Sequence, residues 1–261
     1  MSYLLDNRKR EAAQRFVALS TLFDPVSLRQ FDACGLASGW RCWEVGAGGP
    51  SLVREMAARV GDAGHIVATD IDTAWAQAAA STNVEVRRHD VALDAPPEDL
   101  FDLVHARLVL VHVPERERAL RNMVAALKLG GWLVVEDADP ALQPLSCIDV
   151  AGPEQELANR IRSGFRQLMA ARGVGLSFGR RLPRMFRECG LEDVVAEGYF
   201  PVARPECLPL EVATIAMIRE QLLVHGIATE EEIERHLHNV RSGLLDLTQP
   251  PLISVRGRKP A

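Results

Sequence analysis

Little in the sequence points to a covalent or metal-bound scaffold. Its five cysteines, Cys34, Cys42, Cys147, Cys189 and Cys207, are scattered, odd in number and never spaced C-x-x-C. That excludes a disulfide framework and a zinc module and leaves reduced, mostly buried thiols. No apolar run approaches the roughly 18 residues needed to span a bilayer, and Met1 to Arg10 mixes charges without the apolar centre of a signal peptide. A cytoplasmic location with no membrane partner is therefore expected. Positive charge is not in excess either: 30 Lys and Arg stand against 35 Asp and Glu. A nucleic-acid partner is disfavoured, because phosphate binding needs a basic face. Arg180-Arg181 and Arg256-Gly257-Arg258-Lys259 read as solvated faces or a tail, and no internal repeat or low-complexity tract is found.

What is present is a 261-residue chain, 48% apolar and 25% charged, long enough for one large α/β domain with a buried core. From Asp6 to Leu22 the apolar residues Ala12, Ala13, Phe16, Val17 and Leu19 recur at helical spacing. Asp24-Pro25 should break that helix before a second one, Val26 to Cys34. Strands are then expected at Arg41 to Val45, His65 to Thr69, Val84 to Arg88, Phe101 to His105 and Trp132 to Glu136, the last a nearly continuous apolar run suited to a central parallel position. Between them lie helices Leu52 to Val60, Thr73 to Ala80 and Arg116 to Leu127, the last stopped by Gly130-Gly131. Beyond them, Glu154 to Ala171 and Leu210 to Val224 read as helices, and Val194 to Val202 and Leu252 to Arg256 as strands. Five β/α alternations in succession imply a doubly wound sheet.

In such a sheet ligands bind beyond the carboxyl ends of the strands. There, after the first strand, stands Glu44-Val45-Gly46-Ala47-Gly48-Gly49-Pro50-Ser51, whose glycines allow a tight turn and whose following helix aims its amides at the same place. Asp70 ends the second strand, where a carboxylate can accept from two ribose hydroxyls, and Asp90 follows the third, where it can accept from an adenine amine. A nicotinamide or flavin dinucleotide site shares the glycine loop and the acid after strand two. Its fingerprint wants a third small residue at position 51, where Ser51 stands; Glu44, Asp90 and the C-terminal strand pair favour S-adenosylmethionine (SAM) instead.

Glu44-x-Gly46-x-Gly48, Asp70, His89-Asp90, Phe101-Asp102-Leu103-Val104-His105-Ala106-Arg107 and the turn Gly130-Gly131-Trp132-Leu133 together resemble the class I SAM-dependent methyltransferases, in particular the small-molecule branch of bacterial secondary metabolism, including antibiotic biosynthesis. The resemblance implies a Rossmann-like three-layer α/β sandwich with a seven-stranded, mostly parallel sheet ordered 3-2-1-4-5-7-6, an antiparallel C-terminal hairpin and a helical cap. It implies one domain over 1–261: cap 1–38, SAM-binding core 40–140, acceptor-side helical segments 141–190 and 205–245, and a strand pair 191–204 and 250–258. By the same resemblance Glu44 organises the loop and Gly46, Ala47 and Gly48 pass under the amino-acid part of the cofactor. Asp70 would hold the ribose and Asp90 the adenine, with Ile71 and Val91 beside them in the cofactor site, and Ala106 and Arg107 would flank the methionine portion. S-adenosylhomocysteine would be the product, and the partner a small-molecule acceptor, with a homodimer left open. Pro50 departs from the family's glycine, although proline is accepted in the first turn of a helix. That departure keeps a second reading alive, a SAM-binding enzyme of non-methylating cyclisation or rearrangement.

Methyl transfer from a sulfonium needs alignment above all, and a base is optional. His112 and His105 are the candidates for one. No histidine pair has metal-ligand spacing; Asp137 and Asp139 follow strand five, but the matching aspartate after strand four is replaced by His105, so no metal is expected. Strand four is followed neither by [DN]-P-P-[YFW] nor by Pro-Cys, the motifs of base-modifying relatives. Trp75, Phe165, Met169, Phe178 and Met217 are candidates either for lining an acceptor pocket or for the core.

Overall fold

A computed structural model of the chain describes residues 4–5 and 11–261. The chain divides into two compact units, one formed by residues 23–138, 178–199 and 252–261, the other by residues 1–22, 139–177 and 200–251.

The first unit is built on strands β1 (Arg41–Val45), β2 (His65–Asp70), β3 (Val84–Arg88), β4 (Phe101–Arg107), β5 (Leu127–Ala138), β6 (Glu192–Tyr199) and β7 (Leu252–Arg258). They form one sheet in the order β3-β2-β1-β4-β5-β7-β6. Pairing is parallel from β3 to β5, and β7 runs antiparallel to both β5 and β6. This is the expected seven-stranded order, hairpin included. The parallel register aligns the carboxyl ends: Val45 lies beside Thr69 and Ala106. Loops after β1, β2 and β4 therefore emerge on one edge.

Helix α2 (Ser51–Val60) turns Leu52, Val53, Met56 and Val60 inward, the i, i+4, i+8 pattern of an amphipathic helix. With Phe31, Cys42, Ile66, Leu103 and Val134 these side chains make the core on that face of the sheet. Burial drives the Cys42 thiol far above its ordinary pKa, so it is a packing group rather than a nucleophile.

Several local expectations are corrected. One helix, α1 (Glu11–Cys34), runs straight through Pro25; the part from Asp6 to Arg10 lies outside the described residues. Proline removes one i to i−4 hydrogen bond, a cost of about 3 kcal/mol in a helix interior. Burial of Leu22, Phe23, Val26 and Phe31 outweighs it. Thr73 to Ala80 yields only a short 3₁₀ turn, Ala76–Ala79, because an alanine stretch offers too little apolar area to stabilise a free-standing helix. Helix α3 (Arg116–Ala125) ends well before Gly130-Gly131. Those glycines lie within β5, where Gly130 takes φ +75° and an irregularity in the β4–β5 register falls between Phe101 and Leu103. Arg256 and Arg258 are not a tail but part of β7: Arg256 Nη1 donates to Gln30 Oε1 at 2.8 Å, and Lys259 Nζ donates to the carbonyls of Val124 in the last turn of α3 and Leu127 at the start of β5. Helix α5 (Leu182–Glu188) was not anticipated.

The second unit is helical, with α4 (Pro153–Ala170), α6 (Cys207–Val224) and α7 (Glu230–Arg241). Thr229 caps α7 in a reciprocal capping box with Glu232, which explains why a segment with three leading glutamates holds a helix. Inside, Arg162 Nη2 donates to Glu211 Oε2 at 2.8 Å, and His236 Nε2 lies 3.1 Å from Glu211 Oε1, joining all three helices. Burial works to raise the Glu211 pKa, but Arg162 and His236 outweigh it and hold it at about 2. Phe165, Met169, Phe178 and Met217 are all buried. Among the described residues no helix is long and apolar enough to cross a membrane.

Candidate cofactor and active site

The glycine loop leaves β1 at Glu44-Val45, and its conformation depends on chain reversal at two points. Gly46 has φ +63° and Gly48 φ +59°, both in the left-handed region. At Gly46 space matters as well: a Cβ there would lie 2.3 Å from Val109 Cγ2. Val109 is brought close because the preceding Leu108 adopts φ +57°, a strained conformation for a non-glycine residue, while its N–H donates to the Glu136 carbonyl at 2.8 Å. Pro50 sits at the N-cap of α2 with φ −84° and ψ −12°, and its carbonyl accepts from Arg54 N at 3.1 Å. The loop thus accommodates proline without distortion, since the amide it lacks has no helical partner.

Asp70 closes β2 almost fully buried. Its Oδ2 accepts from Gly48 N and its Oδ1 from Asp72 N, both at 2.9 Å, so the carboxylate ties the glycine loop to the next strand end. Burial raises its pKa, and the two backbone amides oppose that rise. Next to it Ile71 is 63% exposed, an apolar side chain left in solvent at the edge of the sheet. Asp90 Oδ1 accepts from Ala92 N at 2.9 Å and Leu93 N at 3.2 Å, organising the turn that buries Val91. His89 is structural: its ring packs edge-on to Trp43, and Nε2 lies 2.9 Å from the Ala95 carbonyl.

His105 does not meet the requirements of a base. It is wholly buried, with Nδ1 2.6 Å from Glu44 Oε2 and Nε2 3.2 Å from Glu136 Oε2. Burial works to lower its pKa, but the two carboxylates outweigh that and push it up to about 9. A ring that donates from both nitrogens has no lone pair with which to accept a proton. His112, half-buried at the end of the 3₁₀ turn Leu110–His112 that follows β4, keeps its candidacy. Ala106 is buried at the end of β4, and the Arg107 guanidinium is committed to Asp24 and Ser27. Sequence reasoning missed Asp24, Ser27, Glu136 and Ser254. Glu136 left a trace, a charged residue at the end of a run that otherwise reads as fully buried strand.

The carboxyl of Asp137, at the same edge, is fully buried, and its Oδ2 accepts from Val111 N at 3.2 Å. Desolvation lifts its pKa well above the carboxylate range, against the pull of that amide. A carboxyl with a raised folded pKa destabilises the fold once pH climbs above its unfolded value. Asp137→Asn should therefore raise Tm by about 2 °C or more at pH 8, with no gain at pH 4, as read by scanning calorimetry. A lower Tm at pH 8 would show that the side chain is ionised in the fold. Among the described residues no group of three or more His, Cys, Asp or Glu could hold a metal ion.

The sheet order and the loop geometry coincide with a family match: the methyltransferase domain family covers residues 43–135. Residues 43–135 thus match a methyltransferase domain, and they contribute strands to a sheet of the class I order. The ubiquinone/menaquinone biosynthesis C-methyltransferase UbiE of Vibrio parahaemolyticus is 32% identical over 124 residues, 44% of this chain and 48% of that relative. This chain thus spans about half the length of the curated relatives it matches. Among solved structures, the phosphoethanolamine N-methyltransferase 2 of Haemonchus contortus, in complex with phosphomonomethylethanolamine and S-adenosylhomocysteine, superposes with a TM-score of 0.63 at 15% identity, covering 100% of this chain and 61% of that one. The [4+2]-cyclase SpnF gives a TM-score of 0.51 at 18% identity, covering 89% of this chain and 80% of that one. These likenesses establish that the methyltransferase domain has the class I fold.

Proposed function

We propose that the protein binds SAM at the loop Glu44 to Ser51 and transfers its methyl group to oxygen, nitrogen or carbon of a small, largely apolar acceptor, a natural-product intermediate. The observation that carries this reading is Asp70. Its oxygens accept from the backbone amides of Gly48 and Asp72 at 2.9 Å, and a carboxylate, with about four lone-pair sites, keeps acceptor capacity for a ribose hydroxyl beside them. The residues around it suit the rest of the cofactor: Ile71 supplies an apolar flank for adenine, Asp90 an acceptor for its amine, and Gly46, Ala47 and Gly48 a close backbone approach.

The cofactor supplies an already activated methyl group on a sulfonium. The protein's part is to align it with the acceptor and exclude water. His112, in the turn beyond β4, would take a proton from a phenol, enol or amine as the new bond forms. The C-methyltransferase named among the relatives supports carbon as one of the acceptor atoms.

The test is a calorimetric titration of the purified protein with SAM, followed by an acceptor screen that measures S-adenosylhomocysteine release. Absence of SAM binding would remove the reading. A non-methylating cyclisation or rearrangement is the second reading. Pro50, which deletes one amide donor from the loop, supports it, as does the presence of this fold in a [4+2]-cyclase. S-adenosylhomocysteine accumulating in step with substrate consumption would count against it.

A further inference from the structure

Glu44 and Ser51 open and close the glycine loop, and one buried chain of polar contacts joins them. From Glu44 it passes to His105 at 2.6 Å and on to Glu136 at 3.2 Å. Glu136 Oε2 accepts from the Ser27 hydroxyl, which in turn accepts from Arg107 Nη1 at 2.9 Å. Arg107 Nη2 donates to Asp24 Oδ1 at 2.7 Å, and Asp24 Oδ2 accepts from the Ser51 hydroxyl, again at 2.7 Å. Ser254 on β7 donates to the other oxygen of Glu136 at 2.5 Å, and the Phe31 ring packs edge-on to His105 at 4.9 Å. Asp24, Ser27, Glu44, His105, Glu136 and Ser254 are all buried, and Arg107 nearly so.

We infer that His105, as an imidazolium, is a positioning residue that clamps the cofactor loop at both ends through this relay. The inference rests on the reading of the loop as the SAM site. Its physical basis is charge. Two carboxylates face each other across one ring, and a neutral imidazole, with a single N–H, could donate to only one of them and would turn a lone pair towards the other. The imidazolium satisfies both, fixing Glu44 directly and turning Glu136 towards Ser27. Through Arg107, Ser27 transmits that orientation to Asp24 and so to the first turn of α2.

The groups facing His105 are Glu44 from β1, Glu136 from β5 and the Phe31 ring from α1; Arg107 and Asp24 are the next charges out. The folded pKa of about 9 lies above the ordinary histidine value. Its stabilising effect is therefore complete below about pH 6.5 and is lost as pH rises through the folded pKa. Cofactor affinity should follow the same course.

Two variants and two readouts test this. Ser27→Ala leaves the carboxylate–imidazolium–carboxylate core charged but cuts it from Arg107; His105→Gln removes the charge. Hydrogen–deuterium exchange of residues 44–51 in the cofactor-free protein should speed up about tenfold in Ser27→Ala and more in His105→Gln. Titration with S-adenosylhomocysteine should show affinity falling about three- to tenfold in Ser27→Ala. In the parent protein, affinity should fall further above pH 9, a fall that His105→Gln lacks. If His105→Gln does not fold, Ser27→Ala decides alone. Unchanged exchange and unchanged affinity in Ser27→Ala would overturn the relay while leaving the SAM reading intact. Faster exchange in Ser27→Ala, together with a parent protein that binds no S-adenosylhomocysteine, would keep the relay and overturn the SAM reading.

Discussion

Replacing Asp70 by alanine should weaken S-adenosylhomocysteine binding at least about 100-fold. Two lost hydrogen bonds from ribose to a carboxylate, at about 1.5–3 kcal/mol each, already account for that factor. A second loss adds to it. Asp70 holds Gly48 N and Asp72 N, one on each oxygen, so the truncated side chain also releases the loop that should receive the amino-acid part of the cofactor. Asp70→Asn should not rescue binding, because an amide offers one acceptor oxygen where two amide hydrogens are waiting. Calorimetric titration of the three proteins measures this. Affinities within about threefold of one another would mean that the ribose is held elsewhere and would return the loop to the dinucleotide reading.

Gly46→Ala should cost the protein both stability and ligand affinity. The left-handed conformation is penalised by about 1–2 kcal/mol for a residue with a Cβ. Overlap of that Cβ with Val109 Cγ2, at 2.3 Å, adds an overpacking term of about 1–3 kcal/mol, because a β-branched side chain has no alternative rotamer to retreat into. A Tm lower by about 5–15 °C is expected. Adding Val109→Ala should restore the packing part and leave the backbone part, so the double variant should melt between the two. A Gly46→Ala protein with the parent Tm would show that the loop can reach another conformation at no cost. No additivity is expected between the two changes, since they share one contact.

The parallel strands were legible because burial on both faces writes itself into consecutive residues: Ile66-Val67-Ala68 and Leu133-Val134-Val135 can hardly be anything else. The residues after those strands were legible because strand ends in such a sheet share an edge, so Gly46, Asp70 and Asp90 could be grouped without knowing their distances. Helix boundaries were less so. Pro25 reads locally as a break, yet the packing of Phe23, Val26 and Phe31 carries α1 through it. Thr73 to Ala80 reads as a helix, yet burial of the small side chains of Ala76 and Ala79 accompanies only a 3₁₀ turn, Ala76–Ala79.

The two histidines divide the same way. Both lie near the end of β4, and composition and spacing treat them alike. Burial separates them: His105 is at zero exposure between two carboxylates, whereas His112 stands in the turn beyond. Glu44 was singled out for its position before the glycines, but its partner lies 61 residues away, and Ser27 meets Glu136 across 109. By itself the sequence determined the strand-loop-helix at Glu44 to Val60, a doubly wound sheet through its alternation of elements, and the acids at the strand ends, because periodicity and turn chemistry act over a few residues; the strand order came from the resemblance. Only the tertiary structure placed His105 wholly buried between two carboxylates and joined Glu44 to Ser51 through Glu136, Ser27, Arg107 and Asp24. The charge state of a buried group is set by what packs against it, and those partners come from distant parts of the chain.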